Sequence, residues 1–512
     1  MVGTEQKAEN NRIILWILGM VAIATTVYDF INLLPLFNAF FIRDDYLFLD
    51  LGAFMRQQDP LAFLTATCIG WWRPIALLLP ALVYLLFGFN PMPYHVLAYI
   101  IHILTGFTLL VLCRRFFDLK VGLIAFTIYI ASPISFSNVG WMLGAMEDET
   151  ATLFYFLALY SQLRVNPGMK PVPYYLPALF LVLGSFCKIT WLGLIPALLF
   201  MDWVNYPKST LAQRLTRFTP FLIFIPTLLL NFLIIGFEHL GGSFLPSFMG
   251  YFTARNLILG SFLSFMPFDL FIHIKDWYQI MIIVPVLFFL LALIFTKMKS
   301  RIIVIGVSYL GTLAILGLAQ IQKDPVGWIM GWRHLTPLVG FAAIFISATL
   351  SGLIKLPRIR FAGLITVILS LGTLIWLGLP MKSILKSDVE REEQHYRQTT
   401  RSFIVLCRSF PKETGLYIIG TKPLSVNLLA DLAGKQDVFM LCVRREGFKL
   451  MHNYDVRSNH YLIRDGQEVT DLLDKLVART DVRFISNSED GFWIDISENG
   501  KDEFVRMLKL QH

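Results

Sequence analysis

Stretches of about 20 apolar residues, each long enough to cross a hydrocarbon core roughly 30 Å thick, recur from Ile13 to Pro380 and then stop. Inside lipid a chain must satisfy its own backbone N–H and C=O groups, and helices do this within one segment. The sequence therefore predicts an α-helical polytopic membrane protein. Composition agrees. The 512 residues are 56% hydrophobic and 16% charged, whereas a soluble domain is roughly one quarter charged. The hydrophobicity ends where the charge balance changes. Residues 381–512 carry 20 basic and 20 acidic side chains, whereas residues 1–380 carry 24 and 16 and hold the whole net charge of +8. A pI near 9.1 would fit nucleic acid in a soluble chain. Here the excess of cations is the imbalance expected of cytoplasmic loops, and no nucleic-acid partner is expected.

Residues 381–512 read as a small soluble α/β domain. A helix near 388–408 precedes strand-like GLYIIG, DVFMLCV, HYLI and VRFIS…GFWIDIS, with VTDLLDKLVAR as a helix between them. The opening MVGTEQKAENNR leads into an apolar run with no small-residue cleavage site, which reads as an uncleaved first span. Of the five cysteines, Cys407 and Cys442 lie in this tail and could pair in an oxidising compartment.

Charge decides the topology where hydropathy is ambiguous. Arg73–Gly88 has 16 residues, which rise only about 24 Å as a helix and suit a segment lying along the membrane surface. Tyr174–Trp203 is too long for one span and carries Lys188 in its middle, so it reads as a hairpin of two short spans with Lys188 at the tip. Eleven spans result, near 13–37, 94–113, 121–137, 150–163, 174–187, 189–203, 218–237, 278–296, 302–319, 334–354 and 361–380. With the N-terminus inside, 16 of the 24 basic residues fall on the inner face and 11 of the 16 acidic residues on the outer, as the positive-inside rule requires. Residues 1–380 then form the membrane domain, with a long first outer loop at 38–93, and residues 381–512 lie outside. The expected location is a bacterial inner membrane with a cytoplasmic N-terminus.

The outer face gathers the residues that could carry chemistry. The first loop opens NAFFIRDDYLFLD, placing Asp44 and Asp45 where the first span ends. Two carboxylates at a membrane boundary are costly unless solvated, paired or metal-bound. They read as a solvated loop or as a general base beside Arg43. The loop ends GWWRPIALLLP, where Arg73 could grip a phosphate or snorkel to the interface. The second loop holds GAMEDET. Glu147 and Asp148 there could offset a helix dipole, order acceptor hydroxyls, or, with Asp45, bind a divalent cation. Lys188, isolated among apolar residues, is a functional candidate by its depth. Arg333 and His334 stand where the tenth span begins, so Arg73, Lys188 and Arg333 would be three cations on one boundary. His102 reads as a packed intramembrane histidine without a role. There is no Walker loop, dinucleotide fingerprint, zinc-ligand spacing or nucleophile elbow, which argues against ATP-driven pumps and serine hydrolases.

Four blocks resemble a known family. NAFFIRDD, WWRPIALLLPALVYLLFGFNPMPYHVLAYIIH, CKITWLGLIPALLFMDW and GWRHLTPLVGF, in this order over residues 13–355, are similar to the conserved segments of GT-C glycosyltransferases of the protein O-mannosyltransferase superfamily. The likeness is greatest to the branch with the transmembrane and tetratricopeptide-repeat O-mannosyltransferases and their bacterial relatives. The chain departs from it in lacking the repeats and in having Ile189, where the family has Glu, after Lys188. The resemblance implies a GT-C fold and transfer from a polyprenyl-phosphate sugar donor to an acceptor protein, lipid or glycan on the non-cytoplasmic face, among membrane lipids. It also implies Asp44 and Asp45 as the base, and Arg73, Lys188 and Arg333 with His334 as the phosphate grip. Glu147 or Asp148 would complete an acceptor or cation site. The alternatives are a transporter or flippase of a lipid-linked glycan, using the same cations without a diacid, and a polysaccharide polymerase or ligase.

Overall fold

The computed structural model describes residues 2–42, 45–57, 59–64, 66, 72–164, 172–188, 193–235, 261–262, 264–265, 282–319, 335–355 and 360–410, with the backbone of five strands between 415 and 495. The chain divides into two compact units, Met1–Asn38 with His95–Ser387, and Ala39–Tyr94 with Asp388–His512.

In the first unit, helix α1 (Val2–Leu33) shows why the chain reads as a membrane protein. Ile14, Leu18, Ala22, Thr25, Asp29 and Leu33 are buried at intervals of three and four residues, one stripe of a helix. The opposite side exposes Ile13, Trp16, Met20, Ile23, Val27 and Ile31. Apolar residues thus cover both faces, as they do in lipid, and the only acid in the apolar part, Asp29, faces inward.

Helices follow at α4 (Pro91–Phe116), α5 (Leu119–Ala131), α6 (Pro133–Gly140), α7 (Met142–Gly144) and α8 (Thr150–Gln162). The next are α9 (Val172–Ser185), α10 (Ile195–Asn205), α11 (Leu211–Phe218) and α12 (Phe224–Ile235), then α13 (Ile283–Phe295), α14 (Lys299–Ala319), α15 (Thr336–Lys355) and α16 (Arg360–Arg408). Their boundaries have local causes. Asp118 caps α5 by accepting from the Val121 N–H at 3.0 Å. Ser132 is extended and Pro133 opens α6, so the third expected span, 121–137, breaks there. The segment 174–203, expected as a hairpin, holds α9 and α10, with Lys188 just past the end of α9.

Four helical stretches are long and apolar enough to cross a membrane: Asn11–Asn38, Pro91–Phe116, Thr336–Lys355 and Phe361–Arg408. Helix α15 is the hub of this unit. It is almost wholly buried and packs against α5, α13 and α14. Asp202 on α10 is buried and accepts from Arg217 Nε at 2.6 Å and Arg214 Nη1 at 3.1 Å. The aspartate of the lysine block thus anchors α11.

In the second unit, α2 (Asp45–Gln57) packs on α3 (Pro74–Phe87) so closely that a Cβ on Gly52 would lie 2.6 Å from the Tyr84 Cβ. Helix α3 is the segment expected along the membrane surface. It starts at Pro74 and stops at Gly88, whose φ of +60° suits glycine. Phe41, Phe89 and Tyr94 stack between these helices and α4's first turn. Tyr46 shares a 2.9 Å hydrogen bond with Thr400, and its ring lies 5.3 Å from that of Tyr396. The first long loop therefore folds onto the 388–408 end of α16, and this helix runs unbroken through Pro380. Beyond it, strands β1 (Gly415–Gly420), β2 (Val438–Arg444), β3 (Gly447–His452), β4 (Val482–Asn487) and β5 (Trp493–Asp495) form one sheet in the order β3-β2-β1-β4-β5. The inner strand β1 is parallel to β2 and β4, and both edges are antiparallel. The expected strand HYLI and helix VTDLLDKLVAR lie outside the described residues.

Helices α10 and α14 approach through Gly193, just ahead of α10, and Gly311, where a Cβ on either residue meets the other's backbone. Gly311→Leu is expected to cost about 1–3 kcal/mol through overpacking, read as a lower unfolding temperature in detergent. An unchanged temperature would show that the helices can separate there freely.

Candidate active site

The expected site residues fall in both units. In the second, Asp45 is the first residue of α2 and is almost fully buried. Its Oδ2 accepts from the Ile42 N–H at 3.1 Å, while its own N–H donates to the Ile42 carbonyl at 3.0 Å. This reciprocal pair closes the turn that leads out of the first apolar helix and fixes the carboxylate. The neighbouring Tyr46 hydroxyl is pushed up by burial, against a partial pull down from its Thr400 bond, so it stays protonated beside Asp45. Arg73 is buried immediately before Pro74, where its carbonyl accepts from the Leu77 N–H at 3.0 Å. The preceding Trp72 donates from its indole to the Leu64 carbonyl at 2.8 Å, tying down the approach to Arg73. Asp44, Arg333 and His334 lie outside the described residues.

In the first unit, Glu147 and Asp148 sit in a π-helical turn, Ala145–Glu149, between α7 and α8. The sequence reads this segment as an outer loop leading to a helix N-terminus. Instead it is helical from Met142 onward, and all three carboxylates are buried. The wide turn is closed by Thr150, whose N–H and hydroxyl both donate to the Ala145 carbonyl, the hydroxyl at 2.9 Å. Turns of this kind occur often at functional sites.

The turn brings Asp148 to Lys188. The Lys188 ammonium donates to Asp148 Oδ1, and both side chains are about 1% exposed. Lys188 is itself positioned by its backbone. Its N–H donates to the Gly184 carbonyl at 2.9 Å, and its carbonyl accepts from the Tyr155 hydroxyl at 2.8 Å. Losing one partner of such a pair costs about 3–5 kcal/mol, because the other is left charged and buried. Two of the expected residues are thus joined, and the carboxylate that neutralises Lys188 comes from α8's approach rather than from the next residue in sequence. Among the described residues, no three His, Cys, Asp or Glu side chains cluster as metal ligands. A divalent cation at Asp148 would compete with the Lys188 ammonium for the same carboxylate.

The third carboxylate of the turn, Glu149, is not among the expected site residues. Glu149 Oε1 accepts from His102 Nδ1 at 2.9 Å and from Asn138 Nδ2 at 3.3 Å, and Oε2 accepts from the Tyr129 hydroxyl at 2.6 Å. Asn138 also donates to Thr336 at 2.6 Å, at the head of α15. On the other side of His102, Nε2 stands 3.9 Å from Asp29 Oδ2, and Asp29 Oδ1 accepts from Lys382 Nζ at 2.8 Å. The available signal was the presence of Asp29 and His102 inside apolar segments, where ionisable groups are costly and seldom idle.

No family model matches the sequence, and no curated protein matches it. The fold is nevertheless one shared with solved structures. Among solved structures, the chain is similar to ArnT from Cupriavidus metallidurans bound to undecaprenyl phosphate. The TM-score is 0.55 and the identity 12%, over 92% of this chain and 93% of that one. The apo form of the same ArnT aligns with a TM-score of 0.52 and 12% identity over 94% of both chains. The likeness covers both units, and with its exposed apolar helices the chain is an integral membrane protein.

Tyr129→Phe keeps the ring and removes one bond to the buried Glu149. It is expected to cost about 1.5–3 kcal/mol, the range for hydrogen bonds to charged groups, seen as a lower unfolding temperature in detergent. No change would mean that Glu149 is satisfied without Tyr129.

Proposed function

We propose that the protein is an inverting glycosyltransferase of the GT-C type. It would move a sugar from a polyprenyl-phosphate donor to an acceptor hydroxyl on the non-cytoplasmic face of the membrane, with eleven spans and a cytoplasmic N-terminus. The observation that carries this is the buried Lys188–Asp148 pair within a fold shared with an ArnT whose crystal structure holds undecaprenyl phosphate. A buried lysine paired with a carboxylate is placed to bind a phosphate oxygen as well.

In this reading, Asp44 or Asp45 takes the proton of the acceptor hydroxyl. The oxygen then forms its bond to the anomeric carbon as the bond from that carbon to the phosphate oxygen breaks, and the electron pair leaves with the phosphate. Arg73, Lys188 and Arg333, with His334, hold the charge that develops there. Asp45 is suited to the base by its fixed position against the Ile42 N–H. Glu147 would order the acceptor, and Asp148 would orient Lys188. The acceptor is a protein, lipid or glycan hydroxyl, and the O-mannosyltransferase-like blocks favour a hexose or pentose donor.

A transporter of lipid-linked glycan would need the cations but not the diacid, so the diacid decides between the readings. Asp44→Asn and Asp45→Asn, folded in detergent, are expected to lower transfer from a radiolabelled polyprenyl-phosphate sugar by about 100-fold or more for the residue that is the base. Wild-type rates in both would remove the catalytic assignment. Arg73→Ala is expected to weaken binding of undecaprenyl phosphate about tenfold or more, equal to about 1.4 kcal/mol. Unchanged affinity would return Arg73 to an interfacial, structural role.

A further inference from the structure

The carboxylates of the π-helical turn diverge. Asp148 reaches Lys188 beyond α9, whereas its neighbour Glu149 is held by His102 of α4, Tyr129 of α5 and Asn138 of α6. Behind His102 stand Asp29 of α1 and Lys382 of α16. Each of these side chains is at least nine-tenths buried. Two of their polar atoms, Asp29 Oδ2 and His102 Nε2, are buried without a hydrogen-bond partner among the described residues and lie 3.9 Å apart. An ionisable chain of this length is expensive in a low-dielectric interior, and an apolar substitute of the same shape would often be as stable. So costly a chain calls for a role other than stability.

Geometry supplies one. A π-helical turn holds one more residue than the α-helical turn it replaces. If it relaxed, the side chains on one side of it would rotate by about 100° relative to those on the other, the angle between successive residues of an α-helix. Asp148 would then leave Lys188. We infer that the chain Lys382–Asp29–His102–Glu149 is a positioning device, clamping the π-helical turn through Glu149 and so fixing where Asp148 holds Lys188. The inference rests on the proposed function only in assigning Lys188 to the donor phosphate. The clamp itself is a statement about the Asp148–Lys188 contact. Glu149, His102, Asp29 and Lys382 are positioning residues that touch no substrate.

The test therefore uses neither donor nor acceptor. Full-length protein in detergent is unfolded by heat as wild type, Asp148→Asn, Lys188→Met and the double variant. The shortfall from additivity gives the coupling between the two side chains. The same set is then built on Glu149→Gln. The expected result is that the coupling falls by at least half in the Glu149→Gln background. If Glu149 contributes only its own bonds, Glu149→Gln lowers the unfolding temperature and leaves the coupling intact, which overturns the inference. Where Glu149→Gln yields no folded protein, Lys382→Met, three contacts further from the turn, is used with the same two outcomes. Undecaprenyl phosphate binding by the wild type is measured separately, so that failure of the clamp and failure of the glycosyltransferase reading remain distinct.

Discussion

A carboxylate with no access to water organises the first unit. Glu149 receives three side-chain hydrogen bonds from three different helices, and through Asn138 it is linked to the head of a fourth. In lipid the hydrophobic effect does little to hold one helix against another, since the tails are as apolar as leucine. Packing and polar contacts between helices take its place. Gly340 lets the Phe156 ring close on α15, and Gly193 and Gly311 let two backbones meet. The buried polar chain then selects one arrangement among the many that such packing would allow.

The same logic explains why the acidic triplet matters as a unit. Three adjacent carboxylates repel one another, and each must find its own compensation. The π-helical turn spreads them so that Asp148 meets a lysine and Glu149 meets a histidine, a tyrosine and an asparagine. In the second unit the physics differs. Asp45 and Arg73 are held by turns and helix starts, on a pair of helices that stack through Gly52 and Tyr84 and are tied to α16 through Tyr46 and Thr400. Asp45 and Arg73 thus rest on local backbone geometry, whereas Lys188 meets a carboxylate 40 residues away in the chain.

Much of this was legible beforehand for reasons that are local. The short helix from Pro74 to Gly88 and the interruption at Lys188 follow from proline, glycine and segment length, whereas the break at Pro133 cuts a segment expected as one span. The acidic segment 145–149 was misread as a loop, because Gly144 and a run of charged residues look like solvated chain. Its helical state comes from burial and from Thr150 closing the turn. His102 was passed over because a single histidine in an apolar helix has no local partner. Its partners are 47 residues away at Glu149 and on another helix at Asp29.

By itself the sequence determined that apolar helical segments between residues 13 and 380 belong in lipid, and that a lone Lys188 among them was too costly to be incidental. Those properties depend on hydropathy, backbone hydrogen bonding and turn chemistry, all of which act over a few residues. Only the tertiary structure decided which charge meets which. Lys188 finds Asp148 across 40 residues, and Lys382 finds Asp29 across 353. In a low-dielectric interior the energy of a charge is set by its distance to the opposite charge in space. Separation along the chain carries no information about that distance once helices of similar length can pack in several orders.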